Sequence, residues 1–158
     1  RLVLDALELL DGAPFDVAIA GGANPKVFGT AGHLRSTNVR WLGYVSDAEL
    51  RALYEGAMCF VFPSVYEGFG IPPLEAMSCG CPVVASNAAS IPEVCGDSAL
   101  YFDPADAAAL AALLQRVAGD DDLRADLANR GRARARQFTW EKAARQLLEA
   151  CRSALHEP

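Results

Sequence analysis

The sequence predicts an α/β fold built on a doubly wound parallel sheet, and three observations carry that prediction. Short apolar runs, each stopped by glycine or proline, read as strands. Between them lie stretches of helical periodicity that open on capping residues. The joining turns are short, and strands alternating with helices in this way give a parallel sheet covered on both faces.

Taken in order, Arg1 to Leu10 reads as an amphipathic helix with Leu2, Leu4, Leu7, Leu9 and Leu10 gathered near one side. No capping residue precedes it, so the chain is expected to start inside or just before a helix, as a piece of something longer would. Phe15 to Ala20 (FDVAIA) is a short apolar run ended by Gly21-Gly22 and is expected to be a strand buried on both faces. Ala23 to Asn38 is polar and reads as loop with at most a weak helix. Val39 to Leu42 is a second strand, closed by Gly43. Ser46-Asp47-Ala48-Glu49 has the spacing of a capping box, which predicts a helix through Tyr54. Met58 to Phe62 is a third buried strand, ended by Pro63. A glycine-rich turn leads to a helix over Pro72 to Cys79, stopped by Gly80 with Pro82 beyond. Pro82 to Ala85 supplies the fourth strand, Ile91 to Val94 a turn of helix, and Ala99 to Phe102 the fifth strand. Asp103-Pro104 reads as a cap followed by proline, opening a helix over Ala105 to Val117. Two helices finish the chain, Asp121 to Gln137 and Thr139 or Trp140 to Leu155. A single domain is expected over residues 1–158.

Composition narrows the function. The 158 residues are 52% hydrophobic with a net charge of −6, which excludes a disordered chain. Fourteen Lys and Arg against 20 Asp and Glu argue against sequence-independent nucleic-acid binding, which needs a basic surface. No apolar run reaches the roughly 20 residues of a membrane span, and no signal peptide is expected from the opening residues. Size alone excludes a large enzyme that carries its own acceptor-binding domain. The five cysteines (Cys59, Cys79, Cys81, Cys95 and Cys151) are irregularly spaced, and most read as small buried hydrophobes in a reducing, cytoplasmic compartment. Cys79-Gly-Cys81 is too tight for a zinc knuckle, and of two histidines only His33 could build a triad or metal site, with nothing around it to help. No metal is expected.

The informative segment is Pro63-Ser64-Val65-Tyr66-Glu67-Gly68-Phe69-Gly70-Ile71-Pro72-Pro73-Leu74-Glu75. It leaves a strand, turns through Gly68 and Gly70, and enters a helix, so its amides and the helix N-terminus favour a phosphate. Glu67 and Glu75, with seven residues between them, flank that anion site. Carboxylates do not hold phosphate, but they accept hydrogen bonds from hydroxyls. Phosphate at the amides and sugar hydroxyls at the carboxylates describe a nucleotide sugar. Singly, each glutamate has a plainer reading: Glu75 in a first helical turn suits the dipole, and Glu67 is a solvated loop residue.

Together these residues resemble the nucleotide-binding C-terminal domain of retaining glycosyltransferases of family 4, a Rossmann-like half of the two-domain GT-B architecture. The likeness runs through VAIAGG at 17–22, VRWLGYVSDAELRALYEGA at 39–57, VFPSVYEGFGIPPLEAMSCGCPVVASN at 61–87 and IPEVCGDSALYFDPAD at 91–106. It implies that Glu75 binds the ribose hydroxyls and that Glu67 contacts the transferred sugar near its reacting carbon. It implies that the amides of Gly68, Phe69, Gly70 and Ile71 hold sugar and diphosphate. Tyr44 and Val45 would line the base, while Gly21 and Gly22 leave room near the diphosphate. The donor implied is a nucleoside-diphosphate sugar, GDP-mannose-like or a UDP-hexose, used without cofactor or metal. The acceptor implied is a glycan or lipid-linked sugar of surface polysaccharide synthesis.

The sequence departs from the pattern in one respect. The family's Arg and Lys for the leaving diphosphate stand upstream of the first helix, and neither is here, nor is the N-terminal acceptor domain. The chain alone is therefore expected to bind nucleotide weakly and not to transfer sugar. A phosphorylase is the rival within the architecture, but Lys26 and Lys142 lie in no plausible cofactor context. A non-catalytic binding or interaction domain is the rival outside it. Arg124, Arg130, Arg132, Arg134 and Arg136 make a basic stretch that reads first as a solvated face and second as a surface for peripheral association of the full-length protein with the inner membrane face. Asp120-Asp121-Asp122 reads as helix capping. Phe138, Trp140 and Leu147-Leu148 are candidates to pack the last helix onto the domain. The resemblance instead implies a helix that crosses to the partner domain, which would leave it loose here or paired with another copy.

Overall fold

A computed structural model describes residues 1–10, 15–22 and 39–156. The expected loop over 23–38, with Lys26 and His33, lies outside them. The described elements are α1 (Leu2–Glu8), β1 (Val17–Ala20), β2 (Val39–Gly43), α2 (Asp47–Gly56), β3 (Phe60–Phe62), α3 (Ile71–Ser78), β4 (Val83–Ser86) and α4 (Ile91–Cys95). A 3₁₀ turn (Gly96–Ser98), β5 (Ala99–Phe102), α5 (Ala107–Gly119), α6 (Asp121–Ala135) and α7 (Trp140–His156) complete the order. Every strand pair is parallel, in two ladders: β1 with β2, and β3-β4-β5. In the second ladder Phe60 lies opposite Val83, and Val83 opposite Ala99.

β4 is the centre because all four of its residues are buried, its two faces feeding separate cores. Val84 joins Leu7, Leu10, Phe102, Leu110, Leu114 and Val117 under α1 and α5. Val83 and Ala85 point the other way, to Tyr54, Ala76, Met77, Ile91 and Cys95 under α2, α3 and α4. Successive strand residues alternate between faces, so helices on both sides follow from an unbroken apolar run at the centre. The expected doubly wound α/β architecture is what the chain adopts.

Three local expectations are corrected. β1 is not buried on both faces: Val17 and Ile19 are half-buried while Ala18 and Ala20 are exposed. Small alanines at alternate positions give that face too little apolar surface to demand cover. β3 is likewise only half-buried. The Asp103-Pro104 pair does not open a helix. The Asp103 carboxylate accepts from the Ala105 amide at 2.8 Å, closing a turn, and Asp106 caps α5 by accepting from the Ala109 amide at 2.8 Å. Both aspartates compete for one role, and the second wins because the first is spent on the turn.

The capping box forms: the Glu49 amide donates to Ser46 Oγ at 3.3 Å and the Ser46 amide to Glu49 at 2.8 Å. Asp120 caps α6 through the Leu123 amide at 2.8 Å. α6 lies against α3 because Gly131 faces Met77, whose Cγ would be 3.1 Å from an added Cβ. Three arginines of the basic stretch on α6, Arg124, Arg130 and Arg134, are engaged by the protein, while Arg132 and Arg136 are exposed as a solvated face would be. Arg124 donates to the Val117 and Ala118 carbonyls at the end of α5. Arg130 donates to the Asp97 carbonyl and pairs with Asp126. Arg134 donates to the Glu93 and Val94 carbonyls at 2.6 and 2.8 Å. Helix C-termini leave carbonyls without partners, and these guanidinium groups fill that need. α7 is exposed along its length, so Trp140, Leu147 and Leu148 do not pack onto the domain.

Candidate functional site

Every sequence-predicted site residue lies at a strand's carboxyl end or in the element that follows it, where ligands bind on open parallel sheets. They fall into two groups. In the first, the Gly21 amide donates to the Gly43 carbonyl at 2.7 Å, tying the ends of β1 and β2. The Tyr44 hydroxyl lies 2.7 Å from where a Gly22 Cβ would stand, so Gly22 leaves space that the tyrosine ring occupies. Tyr44 is 91% exposed, and Val45 beside it is half-buried.

The second group is the loop between β3 and α3. Its far end is Gly70, buried, at φ +103°, the N-cap of α3. A left-handed backbone there suits only glycine. Side-chain hydroxyls from the neighbouring strand ends hold the loop in place. Ser86, at the end of β4, donates to the Ser64 carbonyl. Ser64 Oγ meets the Glu67 carboxylate at 2.9 Å. Ser90 Oγ lies 3.1 Å from the Glu67 carbonyl and 3.0 Å from that of Phe69. Ala89, just before Ser90, has φ +51°, a strained backbone for an alanine at the point where the hydroxyl reaches the loop.

The carbonyls of Ser64, Tyr66, Glu67 and Phe69 are thus engaged while the amides at the loop's far end are not. Among the described residues, the amides of Gly68, Phe69, Gly70 and Ile71 have no protein acceptor. Pro72 and Pro73 follow and carry no N–H, so the start of α3 offers the Gly70 and Ile71 amides rather than the usual four. Glu67 is half-buried; Glu75 is exposed. Glu75 is the fifth residue of α3, and the first turn holds no acidic residue. The dipole reading of Glu75 therefore fails, because that interaction fades beyond the first turn. Behind Glu75 sits buried Tyr54, its hydroxyl pushed up to about 12 by burial first and then by the Glu75 charge.

Phe69 is anchored sideways. Its ring meets Phe138 edge-on at 5.8 Å, and the Arg134 guanidinium lies 5.0 Å from the Phe138 centroid. Sequence reasoning missed the roles of Ser64, Ser86 and Ser90, and read Phe138 only as a candidate to pack the last helix, not as the partner of Phe69. Ser90 precedes Ile91-Pro92 and looks like a helix cap, yet its side chain caps nothing and bonds back to the loop. A cavity of about 230 Å³ lined by Ser78, Arg132, Ala135 and Arg136 opens at the opposite end of α3, away from these groups. No cluster of three metal-ligating side chains occurs among the described residues.

Residues 1–134 match the family profile described as "Glycosyl transferases group 1". The chain belongs to this family. The O-antigen chain mannosyltransferase B of Escherichia coli is 51% identical to this chain over 112 residues, 71% of the chain and 29% of that protein. The MMP alpha-(1->4)-mannosyltransferase of Mycolicibacterium hassiacum is 39% identical over 115 residues, 70% of the chain and 28% of that protein. Sucrose-phosphate synthase from Thermosynechococcus elongatus superposes with a TM-score of 0.81 at 28% identity, over 98% of this chain and 43% of that one. Anabaena HepE, solved with UDP and glucose, superposes with a TM-score of 0.82 at 25% identity, over 96% of this chain and 44% of that one. The chain thus spans less than a third of these curated relatives. The group 1 glycosyltransferase carries here the fold expected of its C-terminal, GT-B-type domain. Among the described residues no helix is long and apolar enough to cross a membrane.

Proposed function

We propose that this group 1 glycosyltransferase domain binds the nucleoside-diphosphate sugar for a retaining transferase of surface polysaccharide synthesis. One observation carries the reading: the loop's carbonyls are tied down by Ser86 and Ser90, while the amides of Gly68 to Ile71 have no protein acceptor. A diphosphate satisfies such donors, and fixing them beforehand spares reorganisation when charge develops on the leaving group. Glu75 accepts hydrogen bonds from the ribose hydroxyls. Glu67, oriented by Ser64, accepts from the sugar's hydroxyls near the reacting carbon. Gly21 and Gly22 border the diphosphate, and Tyr44 and Val45 the base. That HepE was solved with UDP and glucose, and that the relatives above are named mannosyltransferases, supports a UDP-hexose or a GDP-mannose-like donor.

In the reaction the bond from the anomeric carbon to the diphosphate oxygen breaks as the acceptor hydroxyl attacks from the same face. The hydroxyl's proton passes to the leaving phosphate oxygen. Glu67 positions the sugar and offsets its positive charge without forming a bond to it. No cofactor or metal takes part. The acceptor, a glycan or lipid-linked sugar, is held by a further domain, and α7's apolar side is the surface this domain offers to it. The 158-residue chain alone binds nucleotide without transferring sugar.

Calorimetric titration with GDP, UDP and ADP tests the reading, and one of them is expected to bind in the micromolar-to-millimolar range. Glu75→Gln weakens that binding, whereas Glu67→Gln leaves it nearly unchanged and weakens binding of the intact donor sugar. No binding by any nucleotide at millimolar concentration would favour an interaction domain that only shares the fold.

A further inference from the structure

Within the nucleotide-sugar reading, on which this inference rests, we infer that Phe138 is a positioning residue for the donor loop. It lies four residues beyond the stretch that matches the family profile, at the joint between α6 and α7. The loop's backbone is held from one side by Ser86 and Ser90. Its side chain at Phe69 is held from the other side by Phe138 alone among the described aromatic rings, edge to face at 5.8 Å. Phe69 supplies one of the four unpaired amides and adjoins two more, so anchoring its side chain restrains the backbone that carries the donors.

Phe138 is itself fixed. Its amide donates to the Ala135 carbonyl at 3.1 Å. Arg134 lies over its ring and in turn grips the Glu93 and Val94 carbonyls at the end of α4. On the far side, the Lys142 ammonium donates to the Gln137 carbonyl at 3.2 Å, and the Lys142 amide to Thr139 Oγ1 at 3.2 Å, joining the root of α7 to the same turn. A chain of contacts therefore runs from α7 through Phe138 and Phe69 to the amides. Without the Phe138 ring, Phe69 has no aromatic partner and samples other rotamers, and each binding event must order the loop again.

The test titrates the 158-residue chain with whichever of GDP, UDP or ADP binds it, comparing Phe138→Ala, Phe138→Tyr and Leu113→Ala. Leu113 is half-buried under the opposite face of the sheet and serves as a control for general loosening. An aromatic pair of ordinary strength predicts about three- to tenfold weaker binding for Phe138→Ala. Phe138→Tyr keeps the wild-type affinity, and Leu113→Ala lowers the melting temperature with affinity unchanged. Equal affinity of Phe138→Ala and wild type, or equal losses in Phe138→Ala and Leu113→Ala, would overturn the inference. So would a Phe138→Tyr variant as weak as Phe138→Ala. Absence of binding by the wild-type chain would instead overturn the nucleotide-sugar reading beneath it.

Discussion

The two ends of α3 are built from similar parts and finished differently. Each has a glycine in the left-handed region, Gly70 at φ +103° before the helix and Gly80 at φ +78° after it. At the C-terminal end the protein closes its own hydrogen bonds. The Gly80 amide donates to Met77 and the Cys81 amide to Ala76, both at 2.9 Å, in a Schellman arrangement. Ser78 Oγ donates to the Glu75 carbonyl at 2.7 Å, and the Arg132 guanidinium lies over Gly80. At the N-terminal end no such closure occurs: prolines replace two donors, and the remaining amides are left without protein acceptors. A closed end supports the fold. An open end leaves donors free, which is what the proposed donor site uses.

That contrast is broken most sharply by exchanging glycine for alanine at each end. Gly80→Ala is expected to cost about 1–2 kcal/mol for the left-handed backbone alone. The new Cβ would also meet the Arg132 guanidinium, the mobile end of an exposed side chain that can swing aside at little cost. The variant's melting temperature should drop by several degrees with nucleotide affinity intact. Gly70→Ala has open space around the added Cβ, so it should cost only about 1–2 kcal/mol of stability. The same change should weaken nucleotide binding at least tenfold, because the amides turn. Equal effects on binding from both variants would erase the distinction. Ser90→Ala removes the contacts to the Glu67 and Phe69 carbonyls and leaves the Ser86 tie, and a loss of about 1 kcal/mol in thermal unfolding is expected, with binding a few-fold weaker.

Smaller still is the effect on α7. Leu147→Glu, on a side chain that is 67% exposed here, should change the stability of this chain by no more than about 0.5 kcal/mol, read as a nearly unchanged melting temperature. In a longer form that carries the acceptor domain, the same change should lower it clearly.

Alkaline titration gives the mildest test. Burial pushes Cys59 and Cys95 up to about 11 and Cys81 to about 12. Burial likewise lifts Tyr54 and Tyr101 to about 12. These groups ionise first in the unfolded chain, so stability present below their ordinary values is lost as pH rises from about 9 towards 12. Thiol alkylation at neutral pH should mark exposed Cys151 quickly and reach Cys81 and Cys95 only on unfolding.

The closed end of α3 was readable in the sequence, since Gly80 followed by Pro82 announces a helix stop, and so were the capping box at Ser46 and the apolar run at β4. The open end was readable as a glycine loop between two glutamates. What holds it was not, because Ser86, Ser90 and Phe138 act across 20 to 70 residues of chain, and nothing in a serine's local sequence says that its hydroxyl will serve a distant carbonyl. The arginines of α6 were illegible for a related reason: a periodic basic stretch looks solvent-facing until the helix ends beneath it are known. The true cap at Asp106 shows a narrower failure, where two aspartates stood within reach of one role, and the exposed alanines of β1 show another, where an apolar run carried too little surface on one face to be covered.

The central claim concerns where the diphosphate sits, and a crystal structure of this chain with the nucleoside diphosphate that binds it most tightly tests it directly. The account predicts phosphate oxygens within hydrogen-bonding distance of the Gly68 to Ile71 amides, with the ribose hydroxyls on Glu75. A nucleotide seated instead in the Ser78–Arg132–Arg136 cavity, at the closed end of α3, would contradict it.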